Sequence, residues 1–155
     1  MTVTIRPFAP GDTEAVIGLW MQAFPEYRDT SQPHRNPRLS IENKLGTQPE
    51  LFFVATRGEG NDSGEGDENG TIVGTVMAGY DGHRGWLYSL AVDPGARRLG
   101  IGTRLVQHAE AALLARGCPK LNLQVLHDKA EVLAFYASLG YRTDAVVSLG
   151  KRLEP

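Results

Sequence analysis

Residues 90–103 read LAVDPGARRLGIGT. An apolar run ends at Val92, two closely spaced glycines follow, and an amphipathic pattern then begins, which predicts a strand that leads through a turn into a helix. Without a Cβ in the way, backbone N–H groups can approach a phosphate, and the helix N-terminus adds about half a positive charge. The turn is therefore predicted to bind a pyrophosphate, with formal charge from Arg97, Arg98 and Arg104.

Two better-known nucleotide-binding fingerprints do not fit this turn. A Rossmann fingerprint needs a third glycine three residues after Gly102, where Leu105 stands, and the lysine of a P-loop is absent. A glycine turn without any ligand is the structural alternative. The choice between these two interpretations depends on the rest of the chain.

Hydrophobic periodicity predicts alternating strands and helices on both sides of the turn. An α/β (α+β mixed) single domain spanning 1–155 is therefore predicted. Its strands are Val3–Phe8, Leu51–Thr56, Thr71–Tyr80, Trp86–Val92, Leu121–Val125 and a final strand or strand pair Tyr141–Leu149; its helices run from the N-cap Asp12 to Phe24, over Ser40–Leu45, from about Gly102 to Arg116 and over Ala130–Leu139.

Composition excludes several classes of protein. With 155 residues, 41% hydrophobic and 22% charged, the chain is neither fibrous nor wholly disordered. A net charge of −2 argues against a dedicated nucleic-acid binder. The single cysteine, Cys118, cannot form an intrachain disulfide, and the four histidines lack zinc spacing, so no metal is expected. No apolar run approaches a membrane span, and a soluble cytoplasmic protein is predicted.

Residues 58–70 contain five glycines and five acidic residues, too few apolar groups to offset the entropy of ordering. The composition predicts a flexible hairpin loop between two strands. An acidic metal-binding loop is the alternative, although the glycine spacing does not match an EF-hand.

At these motifs the chain resembles the GNAT acetyltransferase superfamily. The acetyl-CoA signature of that family is Gln or Arg, two residues, Gly, one residue, then Gly or Ala, and Arg97, Gly100 and Gly102 fit it. The tyrosine-bearing helix and terminal Gly-Tyr of the family are matched by AFYASLGY at 134–141. The order of elements matches from Val3 to Leu149. A narrower resemblance, to the YpeA-like branch of small bacterial acetyltransferases, rests on residues 77–85, 116–120 and 148–153.

The resemblance implies the GNAT acyl-CoA N-acyltransferase fold, a central twisted mixed sheet flanked by helices. Its two central parallel strands, here 86–92 and 121–125, would splay apart and hold acetyl-CoA. The pantetheine would pair with the backbone of Leu90 and Val92, and the pyrophosphate would meet N–H groups from Arg98 to Thr103. The implied acetyl-CoA-binding residues are Leu90, Ala91, Val92, Arg97, Arg98, Leu99, Gly100, Ile101, Gly102, Thr103 and Lys129.

By position in the second motif, Tyr136 is the candidate acid for the coenzyme A thiolate, because a phenol stays protonated at neutral pH. A packing role beside Phe135 is the alternative. A backbone N–H near Ala91 or Val92 is expected to receive the developing oxyanion. Lys129, where relatives often place asparagine, could meet a coenzyme A phosphate or cap an exposed helix.

The general base is left open by the sequence. Gln124 stands where the ribosomal-protein N-terminal branch of the family has a glutamate, and an amide cannot accept the proton. The remaining candidates are Asp81, His83 and Glu26, or a water chain. In this family the segment that walls the acceptor site corresponds here to Trp20, Phe24, Tyr27, Arg28, His34, Arg35 and Arg38. Trp20 and Phe24 are expected in the core. The arginines could hold an acidic acceptor or face water.

The predicted function is transfer of an acetyl group from acetyl-CoA to a primary amine of a small metabolite, by direct attack within a ternary complex. A protein amine, N-terminal or lysine, is the alternative acceptor. A non-catalytic acyl-CoA-binding module is the alternative from a different class. A homodimer is possible, and neither nucleic acid nor membrane is an expected partner.

Overall fold

The computed structural model describes residues 2–29, 35–58 and 70–154. The predicted loop at 58–70 falls almost entirely on residues outside these ranges, as does His34. The chain forms two compact units, Met1–Gln124 and Val125–Pro155. The single-domain organisation over 1–155 stays a prediction.

The first unit is built on a five-stranded mixed sheet in the order β1-β2-β3-β4-β5. The first four strands are antiparallel neighbours, and β5 runs parallel to β4. This mixed sheet confirms the predicted α/β class. The elements are β1 (Thr2–Pro7), α1 (Thr13–Ala23), α2 (Pro37–Leu45), β2 (Phe52–Gly58), β3 (Thr71–Tyr80), β4 (Gly85–Val92), α3 (Ile101–Ala115) and β5 (Leu121–Leu123).

Helices α1 and α3 pack on opposite faces of β3. Thr75 faces α1, where the fully buried Trp20 lies in the main apolar cluster, as the sequence predicts. Its neighbour Gly74 faces α3, because successive residues of a strand point to opposite faces. A Cβ on Gly74 would come within 2.9 Å of the Leu105 side chain and 3.1 Å of Ile101. Glycine at this position therefore lets the first turn of α3 sit directly against the sheet.

The pairing of β4 with β5 is short. It covers only Gly85–Leu87 against Leu121–Leu123, so β5 ends before the predicted Val125. Beyond Leu87, residues 88–92 of β4 have no β5 partner in the described part of the chain. The ladder between the two parallel strands thus ends midway along β4, as the predicted splay requires.

The second unit contains α4 (Ala130–Ser138), close to the predicted Ala130–Leu139. The prediction of a final strand or strand pair at Tyr141–Leu149 is wrong, because residues 141–154 form no strand. The Val146, Val147 and Leu149 side chains are exposed. Apolar residues in this segment give it strand propensity, but a strand requires a neighbouring strand to pair with, and among the described residues the segment belongs to no sheet.

Candidate active site

The glycine turn between β4 and α3 forms an open backbone cradle. It begins with Asp93, whose Oδ1 accepts a hydrogen bond of 2.8 Å from the Gly95 N–H. Two of its residues are left-handed, Arg98 with φ 66° and Gly100 with φ 73°. Left-handed residues within a turn redirect successive N–H groups toward one side, as in anion-binding nests. Helix α3 then starts at Ile101, so its N-terminal dipole faces the same space.

The residues predicted to bind acetyl-CoA divide by exposure. The 97–100 segment is exposed, whereas Gly102 and Thr103 are half-buried in the first turn of α3. Ile101 is buried and anchors the helix, and the Ala91 side chain belongs to the core, so both could contribute only backbone groups. The Arg104 side chain reaches β1, where its Nη1 donates to the Val3 carbonyl at 3.0 Å.

Strand β4 carries a bulge at the point where it separates from β5. Thr75 pairs with Ala91 and Met77 pairs with Tyr88, so one residue of β3 faces two residues of β4, Ser89 and Leu90. Ser89 has φ 54°, a left-handed conformation that is unfavourable for a residue with a Cβ. Bulges redirect side chains and interrupt the backbone ladder, and they are frequent beside active sites.

A buried hydrogen-bond chain holds this bulge. The Trp20 indole N–H donates to the Thr75 hydroxyl at 2.8 Å, and that hydroxyl donates to the Ser89 carbonyl at 2.9 Å. Trp20 and Thr75 are both fully buried. The sequence analysis did not identify Thr75 or Ser89, and the only signal was two hydroxyl residues within strand patterns.

The segment between α1 and α2 reaches the bulge through Tyr27. Burial is the largest influence on the Tyr27 phenol and raises its pKa; the Glu26 charge raises it further, and hydrogen bonding with Ser40 and Ser89 opposes both. Arg35 also lowers this pKa through its charge. In the acceptor-wall segment, the charges of Glu26 and Arg35 therefore lie close enough to the Tyr27 phenol to influence its pKa. Arg28 donates to the Met21 carbonyl and Arg38 pairs with Glu14, so these two arginines bind elsewhere.

The other two candidate bases lie in the β3–β4 turn. Asp81 Oδ1 accepts from the N–H groups of His83 and Arg84, each at 2.7 Å. The bond from Arg84 is the largest cause of a lowered Asp81 pKa. These contacts build the turn, and both side chains are exposed at the start of β4, several residues before the bulge. The turn gives Asp81 a structural role.

In the second unit, Tyr136 lies in α4 and is buried. Its ring meets the edges of Phe135 and Tyr141, with centroids 5.1 and 5.5 Å apart. Burial raises the pKa of Tyr136 to about 12. The phenol thus stays protonated at any physiological pH, which an acid requires. Lys129 is the exposed N-cap residue of the same helix.

A buried lysine in α2 was not predicted by the sequence. Lys44 is 5% exposed, and its ammonium donates to the Ala78 carbonyl of β3 at 2.6 Å. Burial lowers its pKa to about 8. Its position three residues after Ile41 on the apolar side of a short helix was the only available signal.

The family model of the acetyltransferase (GNAT) family matches residues 14–141. This chain belongs to the GNAT family. It is also 45% identical over 149 residues to an acetyltransferase of Yersinia pestis strain Pestoides F, covering 96% of this chain and 94% of that protein. The chain is therefore a GNAT acetyltransferase, an acyltransferase enzyme, and the family uses acetyl-CoA as the acetyl donor.

Solved structures share the GNAT fold. Ard1 from Thermoplasma volcanium has a TM-score of 0.73 and 25% identity, over 94% of this chain and 86% of that one. The PaiA N-acetyltransferase from Thermoplasma acidophilum, solved in complex with coenzyme A, has a TM-score of 0.74 and 17% identity, over 95% and 94%. Within residues 2–29, 35–58 and 70–154, no metal-binding cluster is found, and no helix is long and apolar enough to cross a membrane.

Proposed function

We propose that this GNAT acetyltransferase transfers the acetyl group of acetyl-CoA to a primary amine of a small metabolite, by direct attack in a ternary complex. The observation that carries the proposal is the continuity of the cradle with the unpaired edge of β4. The edge starts at Tyr88, passes the Ser89 bulge and ends at Val92, just before the cradle. One extended ligand with a pyrophosphate at one end fits this path.

In this proposal, backbone groups supply most of the binding. The N–H groups from Arg98 to Thr103 bind the pyrophosphate, with Arg97 and Arg98 adding charge. The backbone of Leu90 and Val92 pairs with the pantetheine in the manner of an added strand. Lys129 is proposed as a phosphate contact. Membership in the YpeA-like branch stays a prediction.

The reaction forms a C–N bond to the acceptor amine and breaks the C–S bond of the thioester. We place the N–H that stabilises the developing oxyanion near Ala91 or Val92, adjacent to the bulge. Tyr136 gives its proton to the leaving thiolate, and the proton that the acceptor nitrogen loses as the amide forms returns through water to the Tyr136 phenolate. Because a phenol with a raised pKa is a weaker acid, a hydrogen bond to the thiolate must offset part of the cost of that proton transfer.

Among the three candidate bases we propose Glu26, because it adjoins Tyr27, which interacts with Ser89 in the bulge. Its charge acts on Tyr27, whose hydroxyl is near Ser89 in the bulge, whereas Asp81 is held by two backbone N–H groups at the far turn. The carboxylate takes the proton from the acceptor ammonium directly or through water.

Thiol release from acetyl-CoA with a panel of small amines tests this function. We expect turnover with at least one small amine and little with peptides bearing a free N-terminus or lysine. Turnover on peptides alone would indicate a protein acceptor. Acetyl-CoA binding without turnover on either class would indicate a non-catalytic binding module.

A further inference from the structure

A polar groove of about 330 Å³ lies between α2 and β4. Two of its lining residues adjoin the bulge: Tyr88 immediately precedes Ser89, and Ser40 interacts with the Tyr27 hydroxyl, which also interacts with Ser89. A ligand lying in the groove would therefore have one end beside the proposed position of the acetyl group. The residues that line the groove are Leu39, Ser40, Asn43, Lys44, Thr47 and Tyr88.

Lys44 brings a positive charge to this groove. An ammonium has three N–H donors, and Lys44 uses one on the Ala78 carbonyl. Among the described residues, no carboxylate forms an ion pair with Lys44, since Glu50 is paired with Arg116 at 2.7 Å. A buried cation without a carboxylate partner is costly unless a ligand or another role compensates.

The surroundings of Lys44 are rich in hydrogen-bond donors. The Lys44 ammonium and the Tyr88 hydroxyl both lie within 4.0 Å of the point where a Cβ of Gly79 would be. The Tyr88 ring centroid is 5.6 Å from Nζ. Gln48 also reaches this point, but its amide is engaged by the Tyr80 backbone through two bonds of 2.9 Å. The ammonium and the phenol are thus both available to an anion in the groove.

We propose that this groove binds a carboxylate of the acceptor, with Lys44 as its direct partner. This inference rests on the proposed function and specifies its substrate as an amino acid whose amine and carboxylate are well separated. The Lys44 ammonium donates to the Ala78 carbonyl, and Ala78 pairs with Leu87, at least four positions along β4 before the proposed oxyanion N–H near Ala91 or Val92. An acceptor held at Lys44 and attacking at the bulge therefore needs a long spacer between its two groups, and not the short spacing of an α-amino acid.

The test compares kcat/KM for a series from glycine to 8-aminooctanoate with the matched neutral amides. We expect kcat/KM to rise from glycine toward the longer acids, and a preference of at least tenfold for 6-aminohexanoate over 6-aminohexanamide. Lys44→Met is expected to reduce this preference to about one. The control Lys151→Met, which removes an exposed lysine far along the sequence, should retain the preference.

Three outcomes would overturn the inference: equal use of acid and amide by the natural enzyme, a retained preference in Lys44→Met, or a maximum at glycine. If Lys44→Met does not fold, Tyr88→Phe provides the same test, because it removes one donor from an exposed ring and should lower the preference at least threefold. If no amine in the series is acetylated, the proposed function fails. Calorimetric titration of 6-aminohexanoate onto the coenzyme A complex then tests the inference independently of turnover. Binding that is at least tenfold weaker in Lys44→Met than in the natural protein supports the inference. Absence of binding to the natural protein refutes the inference.

Discussion

Replacing Thr75 with valine removes the central hydroxyl of the chain that holds the bulge. Valine preserves the shape, but the buried Trp20 indole N–H loses its acceptor and the Ser89 carbonyl loses its donor. Each buried polar group left unsatisfied costs about 1–3 kcal/mol, so with two such groups the free energy of unfolding should fall by about 2–6 kcal/mol. The left-handed conformation at Ser89 costs about 1–3 kcal/mol, and without the hydroxyl less remains to hold it.

A shift of the bulge by about 1 Å would misplace the attack geometry, so we expect kcat to fall about 10²-fold in Thr75→Val. Urea denaturation and thiol-release kinetics on the same variant measure the two effects. Thr75→Ser keeps the hydroxyl and should retain activity within a few-fold. Ser89→Gly relieves the left-handed strain, and in the Thr75→Val background it should recover part of kcat. A Thr75→Val enzyme with full kcat, whatever its stability, would refute the reasoning, because strand pairing alone would then maintain the bulge.

Four further predictions concern the proposed site. Tyr136→Phe keeps the ring but removes the proton, so kcat should fall about 10²- to 10⁴-fold, with acetyl-CoA affinity and melting temperature nearly unchanged. Because burial raises the pKa of Tyr136 to about 12, the activity of the natural enzyme should show no alkaline loss from Tyr136 below about pH 11. Gly102→Val should weaken acetyl-CoA binding at least tenfold, about 1.4 kcal/mol by calorimetry, whereas Gly18→Val, a matched change in α1, should not. Glu26→Gln should lower kcat/KM about 10²-fold at neutral pH, with recovery toward high pH as the acceptor amine loses its own proton; an unchanged pH profile would eliminate Glu26 as the base. Burial lowers the pKa of Lys44 from 10.5 to about 8; the charge of Glu50 opposes this shift and the charge of Arg116 adds to it. Between these two pH values the unfolded chain therefore binds more protons than the folded protein. The free energy of unfolding should therefore rise with pH across that window by on the order of 2 kcal/mol, a rise that denaturation curves of Lys44→Met should lack.

Local patterns predicted the elements that depend on periodicity and turn chemistry. Helix α3 was expected from about Gly102 to Arg116 and runs over Ile101–Ala115, and β3 was predicted at its observed bounds, Thr71–Tyr80. The cradle was also readable, because a strand end, two glycines and a helix start are adjacent in the chain. Each of these features is set by interactions within a few residues, which is why the sequence could indicate them.

The shape of the reaction site depends on residues that are distant in the chain. The hydrogen-bond chain joins Trp20 to Thr75 across 55 positions, and its effect on Ser89 follows from a one-residue mismatch between β3 and β4. Lys44 approaches Tyr88 only because α2 packs against the sheet. A strand at 141–149 was predicted from local propensity and did not form, since pairing requires a partner that propensity cannot provide. Local patterns thus predicted the family, the mixed fold and the cradle. The bulge, the hydrogen bonds that hold it and the charge in the groove follow from long-range packing, whose register no local pattern encodes.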